Sequence, residues 1–376
     1  MLKKVIGQKA AELGIDLLGF SGARELDEVK RCLVKRRDEG RQTSLEWQDI
    51  ELRVNPRLLL PGANTIITAA ISYFTANHAR TSGMCGTLSR SAWGTDYHRV
   101  LGSKLKALAQ YISESTGTTT KVFVDTGPPV DRALAIEAGL GWQGKNCAVI
   151  SPDYGSWIFV GHIYTELELF HDRPLTRECG ECELCLKACP TGALGEPYVL
   201  DPMRCVSYLT QMKGFVPNEY RHLMGVKVYG CDTCQEVCPV NRDVKPSQIS
   251  DFYPNQASAR PDLLELIQIN NRGFKALFGQ TAAGWRGRTV LQRNALIALG
   301  NLKNPAAVQP IAACLTDVRS VIRGHAAWAL GQIGGHISLA ALLQAIERET
   351  DPVVREELGA AIHGLEGYVS KGGVST

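Results

Sequence analysis

The chain has 376 residues, 44% of them hydrophobic, and a formal net charge of +3. That length and apolar share suit two or three globular domains and exclude a chain too polar to bury a core. The charge is close to neutral, so affinity for nucleic acid has to come from a local patch. No charged-then-apolar leader opens the sequence and no apolar run is long enough to span a bilayer. The expected compartment is therefore a reducing cytoplasm, where thiols do not pair.

Residues 2 to 14, LKKVIGQKAAELG, place apolar side chains at helical intervals and stop at a glycine. IDLLGFSG then reads as a short buried strand, and a second helical pattern runs from about Glu25 to Gly40. After the loop through Arg53, Asn55 and Pro56, TIITAAISY is apolar without alternation, as expected of a strand covered on both faces. SRSAWGTDYHRVLGSKLKALAQYISE passes from loop to helix, with Val100, Leu101, Leu105, Leu108 and Ile112 on one stripe. Asp96, Tyr97 and His98 lie at its start, where an Asp and a His taken alone read as a cap and a surface imidazole.

Asp125 ends the strand KVFV directly before Thr-Gly-Pro-Pro. A carboxylate at a strand end projects into a loop cleft, a frequent place for catalytic groups, and a turn cap is the structural alternative. The segment GLGWQGKN combines three glycines, an aromatic and a lysine. Its glycines permit close approach of a large ligand to the backbone, although it is neither a Walker loop nor a GxGxxG fingerprint.

The stretch from Cys179 to Pro239 holds eight of the twelve cysteines, in the runs CGECELCLKACP and CDTCQEVCP with Cys205 between them. Iron–sulfur clusters need thiolates on short loops, and CxxCxxCxxxCP is the ferredoxin run whose fourth cysteine serves the other cluster. Cys179, Cys182 and Cys185 are thus expected to share one 4Fe–4S cluster with Cys238. That leaves Cys189, Cys205, Cys231 and Cys234 for a second. Structural zinc is the competing assignment, and the third closely spaced cysteine and the proline after each run weigh against it. Cys32, Cys85, Cys147 and Cys314 read as inert buried thiols.

From about Pro261 the pattern is helical, and RNALIALG, RGHAAWALG and REELGAAIHG recur with a period of about thirty residues. This is the sign of a HEAT-like solenoid. GWRGRTVLQRN carries Arg286, Arg288 and Arg293 with no acidic residue. Alone it reads as a solvated helix face; beside a solenoid, a phosphate backbone becomes a reasonable partner. The expected fold is α+β and multidomain. It has a mixed α/β domain over 1–168, a bacterial ferredoxin-like module for two 4Fe–4S clusters over 169–250, and C-terminal HEAT-like repeats over 255–376.

Taken together, VDTGPPVDRALAIEAGLGWQGKN, CGECELCLKACPTGAL, RCVSYLT and YGCDTCQEVCPVN resemble the epoxyqueuosine reductase family, and the resemblance covers nearly the whole chain. It implies a cobalamin-dependent iron–sulfur enzyme of tRNA modification that reduces epoxyqueuosine to queuosine at the wobble position of the anticodon, the last step of queuosine biosynthesis. Residues 1–168 become the cobalamin-binding and catalytic domain. Electrons are expected to pass through two 4Fe–4S clusters to cobalamin, which attacks the epoxide while Asp125 donates a proton. That role asks for an Asp125 pKa raised from about 4 by burial against the corrin and base rings.

The resemblance also places Asp125, Lys145, Val149, Ser207 and Asp232 around the cobalamin. It puts Asp96, Tyr97 and His98 at the active site, with Ser89 where the family frequently has a cysteine. Lys213, Arg286, Arg288 and Arg293 are the candidate contacts to a tRNA anticodon stem-loop. An external electron donor, a cytoplasmic monomer and no membrane attachment complete the expectation. A corrinoid reductive dehalogenase shares the chemistry but usually carries an export signal and lacks a repeat tail. A plain electron carrier would not retain cobalamin.

Overall fold

The computed structural model describes residues 1–76 and 83–369. By compactness the chain divides in two: Met1–Asn77, Gly94–Cys205 and Asp232–Tyr253 form one unit, and His78–Trp93, Val206–Cys231 and Pro254–Thr376 the other. Of the expected middle segment 169–250, residues 169–205 and 232–250 fall in the first unit and 206–231 in the second.

The first unit is built on a four-stranded sheet of β1 (Leu17–Gly22), β2 (Thr65–Ser72), β3 (Thr120–Phe123) and β4 (Ile158–Thr165) in the spatial order β1-β2-β4-β3. Every pairing is antiparallel, with Leu17 opposite Ala70 and Thr65 opposite Thr165. All eight residues of β2 are buried, which explains why its sequence lacks alternation. Ile67, Ala69 and Ile71 point to one face, where they pack with Ile6 of α1 (Leu2–Glu12) and Leu101, Leu105 and Leu108 of α2 (Tyr97–Thr116). Ile66 points to the other face and packs with Leu134 of α3 (Asp131–Glu137). The period of two in the strand thus meets the helical stripe read from α2.

Helix α2 starts where Asp96 caps it, its carboxylate accepting the His98 backbone N–H at 3.1 Å, and it stops at Gly117 in the left-handed conformation. Past β3 the chain turns on Asp125, whose φ is +49°, and Thr126 N–H donates to the Val124 carbonyl at 2.5 Å. A hydrogen bond spanning only three residues at positive φ is a tight and strained turn, and such strain collects at working sites.

In the second unit α4 (Arg288–Leu302), α5 (Ser320–Ile333) and α6 (Pro352–Val369) stack in succession, α4 against α5 and α5 against α6. They hold residues 206–231 through buried polar side chains. Arg221 makes two bonds to Glu357, at 2.7 and 2.5 Å, and Asn294 donates to the carbonyls of Thr210 and Val228, both at 2.7 Å. His325 Nε2 accepts the Val216 N–H at 3.3 Å. No helix among the described residues is long and apolar enough to cross a membrane.

Candidate functional site

The first unit contains a cavity of about 500 Å³, lined among others by Trp47, Tyr97, Asp125, Asn146, Val149, Phe159 and Cys234. An aromatic stack forms part of its wall: Tyr97 lies over Phe159 at 4.0 Å and 6°, and Phe159 over Tyr73 at 4.2 Å. His98 stacks on the same Tyr97 ring at 4.1 Å. This packing fixes the two side chains that meet Asp125. Tyr97 Oη donates to Asp125 Oδ2 at 2.7 Å, and His98 Nε2 lies 3.4 Å from the same oxygen, in ion-pair range but outside hydrogen-bond geometry. On its other side His98 Nδ1 bonds Asp96 Oδ1 at 2.7 Å. The Asp96 carboxylate therefore serves both the helix cap and the imidazole.

These contacts favour the ionised pair. Burial lowers the His98 pKa, but the carboxylates of Asp125 and Asp96 outweigh it and push it up to about 9. Desolvation by the cavity walls raises Asp125, yet the His98 and Tyr97 contacts, with the nearby charge of Arg132, hold its carboxyl below the usual range. That is the direction set by the protein alone; the expected rise depends on further burial against the corrin and base rings. Its side chain is 56% exposed, and its two partners favour the ionised form.

Cys179, Cys182, Cys185 and Cys238 line one small cavity, together with Lys145 and Asn146. Cys238, the fourth ligand expected from the distant run, lines the same cavity as the first run, where the helices Leu184–Ala188 and Thr233–Glu236 pack side by side. None of these four is in a disulfide. Among the described residues no three Cys, His, Asp or Glu side chains converge as they would on a single ion. Four cysteines about one cavity suit the thiolate set of a 4Fe–4S core. Of the second set, Cys189, Cys205 and Cys234 belong to the first unit, and Cys231 ends the 206–231 segment of the second.

The other expected site residues fall in different places. Val149 lines the large cavity from the strand Val149–Ile150, which pairs with Trp142–Gln143, so GLGWQGKN is mainly a hairpin. Its glycines are needed by the hairpin itself: a Cβ on Gly144 would meet Asn146 Oδ1 at 2.6 Å, and one on Gly141 would strike the Ile150 carbonyl. Lys145 lines the cysteine cavity instead, and Asn146 lines both. Asp232 is buried at the start of the helix Thr233–Glu236. Ser207 and Ser89 lie in the second unit, where Ser89 Oγ is 2.9 Å from Ser91 Oγ. Tyr73, Phe159 and Trp47 carried no motif; Trp47 Nε1 donates to the Thr126 carbonyl at 3.0 Å, beside Asp125.

Lys213, Arg286, Arg288 and Arg293 line a cavity of about 300 Å³ in the second unit. Arg293, however, is only 1% exposed and gives its N–H groups to the carbonyls of Leu209, Met212 and Gly214 and to Asn294. It holds the turn that carries Lys213 and has no donor left for a phosphate. The expected phosphate contact at Arg293 is corrected accordingly.

The family model described as a 4Fe-4S double cluster binding domain matches residues 178–241. That described as epoxyqueuosine reductase QueG, DUF1730, matches 53–126, and HEAT repeats match 287–363. The epoxyqueuosine reductase of Bacillus cereus is 40% identical over 371 residues, 97% of each chain. A crystal structure of an epoxyqueuosine reductase with an epoxyqueuosine-modified tRNA-Tyr stem loop matches at TM-score 0.95 and 39% identity, covering 97% of this chain and 99% of that one. The Bacillus subtilis enzyme, solved with its catalytic aspartate loop swung out of the active site, matches at TM-score 0.94, 39% identity and the same coverage. Identity of 40% sustained over 97% of both chains makes this chain a member of the epoxyqueuosine reductase family and therefore an oxidoreductase.

Proposed function

We propose that this protein reduces epoxyqueuosine to queuosine at the wobble position of a tRNA anticodon. One observation carries the reading: Asn146 and Asp125 line the same large cavity, and Asn146 also lines the cavity of Cys179, Cys182, Cys185 and Cys238. A proton donor and a redox centre thus share a wall.

Turning an epoxide into an alkene and water consumes two electrons and two protons, and side chains have no such electrons to give. Cobalamin, when bound, supplies two-electron chemistry at cobalt, and 4Fe–4S clusters supply electrons singly. The cavity suits a large flat group. Its volume is in the range of cofactor sites, and Val149, Ile158, Phe159 and Val160 give it an apolar wall. Asp125 and Val149 are the expected neighbours that would hold the corrinoid there, with Asn146 beside them.

The protein's own part is the proton. At neutral pH the His98–Asp125 pair stores it on the imidazole, since His98 is raised to about 9 and Asp125 is lowered. As the epoxide opens, negative charge on its oxygen raises the proton affinity beside it. The proton then passes from His98 Nε2 to Asp125 and from Asp125 to that oxygen. Asp96 keeps the ring oriented through Nδ1, and Tyr97 keeps the carboxylate facing it. Solvent reloads His98 and supplies the second proton, so that oxygen leaves as water. On the RNA side, Lys213, Arg286 and Arg288 take phosphates, which position the anticodon arm without reading its bases. An external electron donor, a cytoplasmic location and a monomeric state belong to the same reading.

The test is anaerobic reconstitution with iron, sulfide and cobalamin, followed by assay for queuosine in an epoxyqueuosine-bearing anticodon stem-loop. Asp125→Asn is expected to retain cobalamin and stem-loop binding while turnover drops about 10²- to 10⁴-fold. Full turnover in that variant would remove Asp125 from the chemistry, and a loaded wild type that makes no queuosine would remove the reaction.

A further inference from the structure

The single 3₁₀ turn Ala282–Arg286 puts Trp285 on the surface of the second unit, 58% exposed. Exposure alone would mean little, because scattered apolar side chains are common on protein surfaces. Two contacts distinguish this ring. Its Nε1 donates to Tyr229 Oη at 3.0 Å, and Tyr229 is itself buried on the strand Lys227–Tyr229, so the indole is held in one orientation. The Arg286 guanidinium carbon lies 4.3 Å from the ring centroid, covering part of it as a cation–π partner. The rest of the ring faces solvent.

The surroundings are cationic. Arg286 lines the 300 Å³ cavity with Lys213 and Arg288, and no acidic residue contributes to that lining. Among the described residues neither Arg286 nor Lys213 is in an ion pair; Arg286 is half-buried, with its Nε buried and without a hydrogen-bond partner, and Lys213 is exposed. A flat, oriented π surface beside two cations, Arg286 and Lys213, matches single-stranded nucleic acid, whose unpaired bases stack on aromatic side chains while neighbouring phosphates meet Arg and Lys. A protein partner would gain from the indole but not from the excess positive charge.

We propose that Trp285, fixed by Tyr229 and Arg286, is the stacking platform for an unpaired nucleobase of the anticodon loop, with Arg286 and Lys213 taking the adjoining phosphates. This inference rests on the tRNA substrate proposed above.

The experiment measures affinity of the reconstituted protein for anticodon stem-loops carrying 2-aminopurine at successive loop positions, beside an RNA duplex of equal length. Trp285→Ala is expected to weaken stem-loop binding about 5- to 150-fold and to abolish quenching at one loop position. Duplex binding and the salt slope should stay as in wild type, since no phosphate contact is lost. Trp285→Phe, which keeps a flat ring, should recover most of the affinity and guards against a folding defect. Arg286→Ala should flatten the salt slope by about one unit. Wild-type stem-loop affinity in Trp285→Ala, or equal weakening on duplex, overturns the platform alone. A wild type that ignores the stem-loop overturns the substrate assignment and the platform with it.

Discussion

The two units use charged side chains in opposite ways. In the first, Asp125 stands on a strained turn at φ +49°, more than half exposed, with both of its partners meeting a single oxygen. In the second, Arg221 and Arg293 are sealed at 2% and 1% exposure, each bonded to main-chain, carboxylate or amide groups. Charge by itself therefore does not mark chemistry. An arginine with every donor filled is scaffold, whereas a carboxylate held at some conformational cost with an oxygen toward a cavity is available for reaction.

The strongest break of this contrast falls on the scaffold. Arg221→Ala leaves the Glu357 carboxylate without its bidentate partner, and removing one half of a buried pair costs about 3–5 kcal/mol. Thermal or urea unfolding should register that loss. Asp125→Asn should shift the same unfolding curve by no more than about 1 kcal/mol, because asparagine tolerates positive φ and the lost ion pair with His98 is more than half exposed on the Asp125 side. Equal stability losses in the two variants would erase the distinction between the units.

A smaller effect sharpens it from the side of the active site. His98 is protonated below its pKa of about 9, so a step that draws on its proton proceeds at neutral pH and fades as pH climbs through that value. Above it the rate should fall about tenfold per pH unit. His98→Gln should lose about a hundredfold in turnover and shed that alkaline limb, with stem-loop affinity unchanged. If the variant kept the wild-type profile, some other group would hold the proton.

Much of this arrangement is legible in the chain, for reasons that differ from residue to residue. Cluster ligands are local in spacing, so Cys179, Cys182 and Cys185 declare themselves. Cys238 follows from the same rule once the second run is seen, and all four line one cavity. The helical stripe of α2 and the unbroken apolar run of β2 were equally plain, since periodicity reports which faces are buried. What sequence hides is the direction a polar side chain takes. Arg293 shares a segment with Arg286 and Arg288, yet it turns inward because the carbonyls of residues 209–214 converge there. The protonation of Asp125 was hidden for a related reason. Its value depends on His98 and Tyr97, which lie 27 and 28 residues away and meet it only through the stacking of Tyr97 on Phe159. The glycines of GLGWQGKN look like a ligand loop because close approach to a ligand and close approach to a neighbouring strand ask for the same missing side chain.

Arg323 and Glu349 lie between the two extremes and give the finest test. They form a bidentate pair at 2.6 and 2.8 Å in the repeats, the carboxylate 6% exposed and the arginine 17%. Arg323 holds Glu349 at about 2, against the opposing effect of burial and with help from the backbone N–H groups of Asp351 and Thr350. Because the folded value lies below the ordinary 4.5, the stabilisation is complete above about 4.5 and drains away as pH falls through about 2. Arg323→Gln should thus cost about 1.5 kcal/mol near neutrality, the low end for a hydrogen bond to a charged group. The gap to wild type should close across that acid window in a series of urea melts. A gap that survives at the acid end would mean that packing of the Arg323 stem, and not its charge, supports the repeats, and would move this pair to the scaffold side of the comparison.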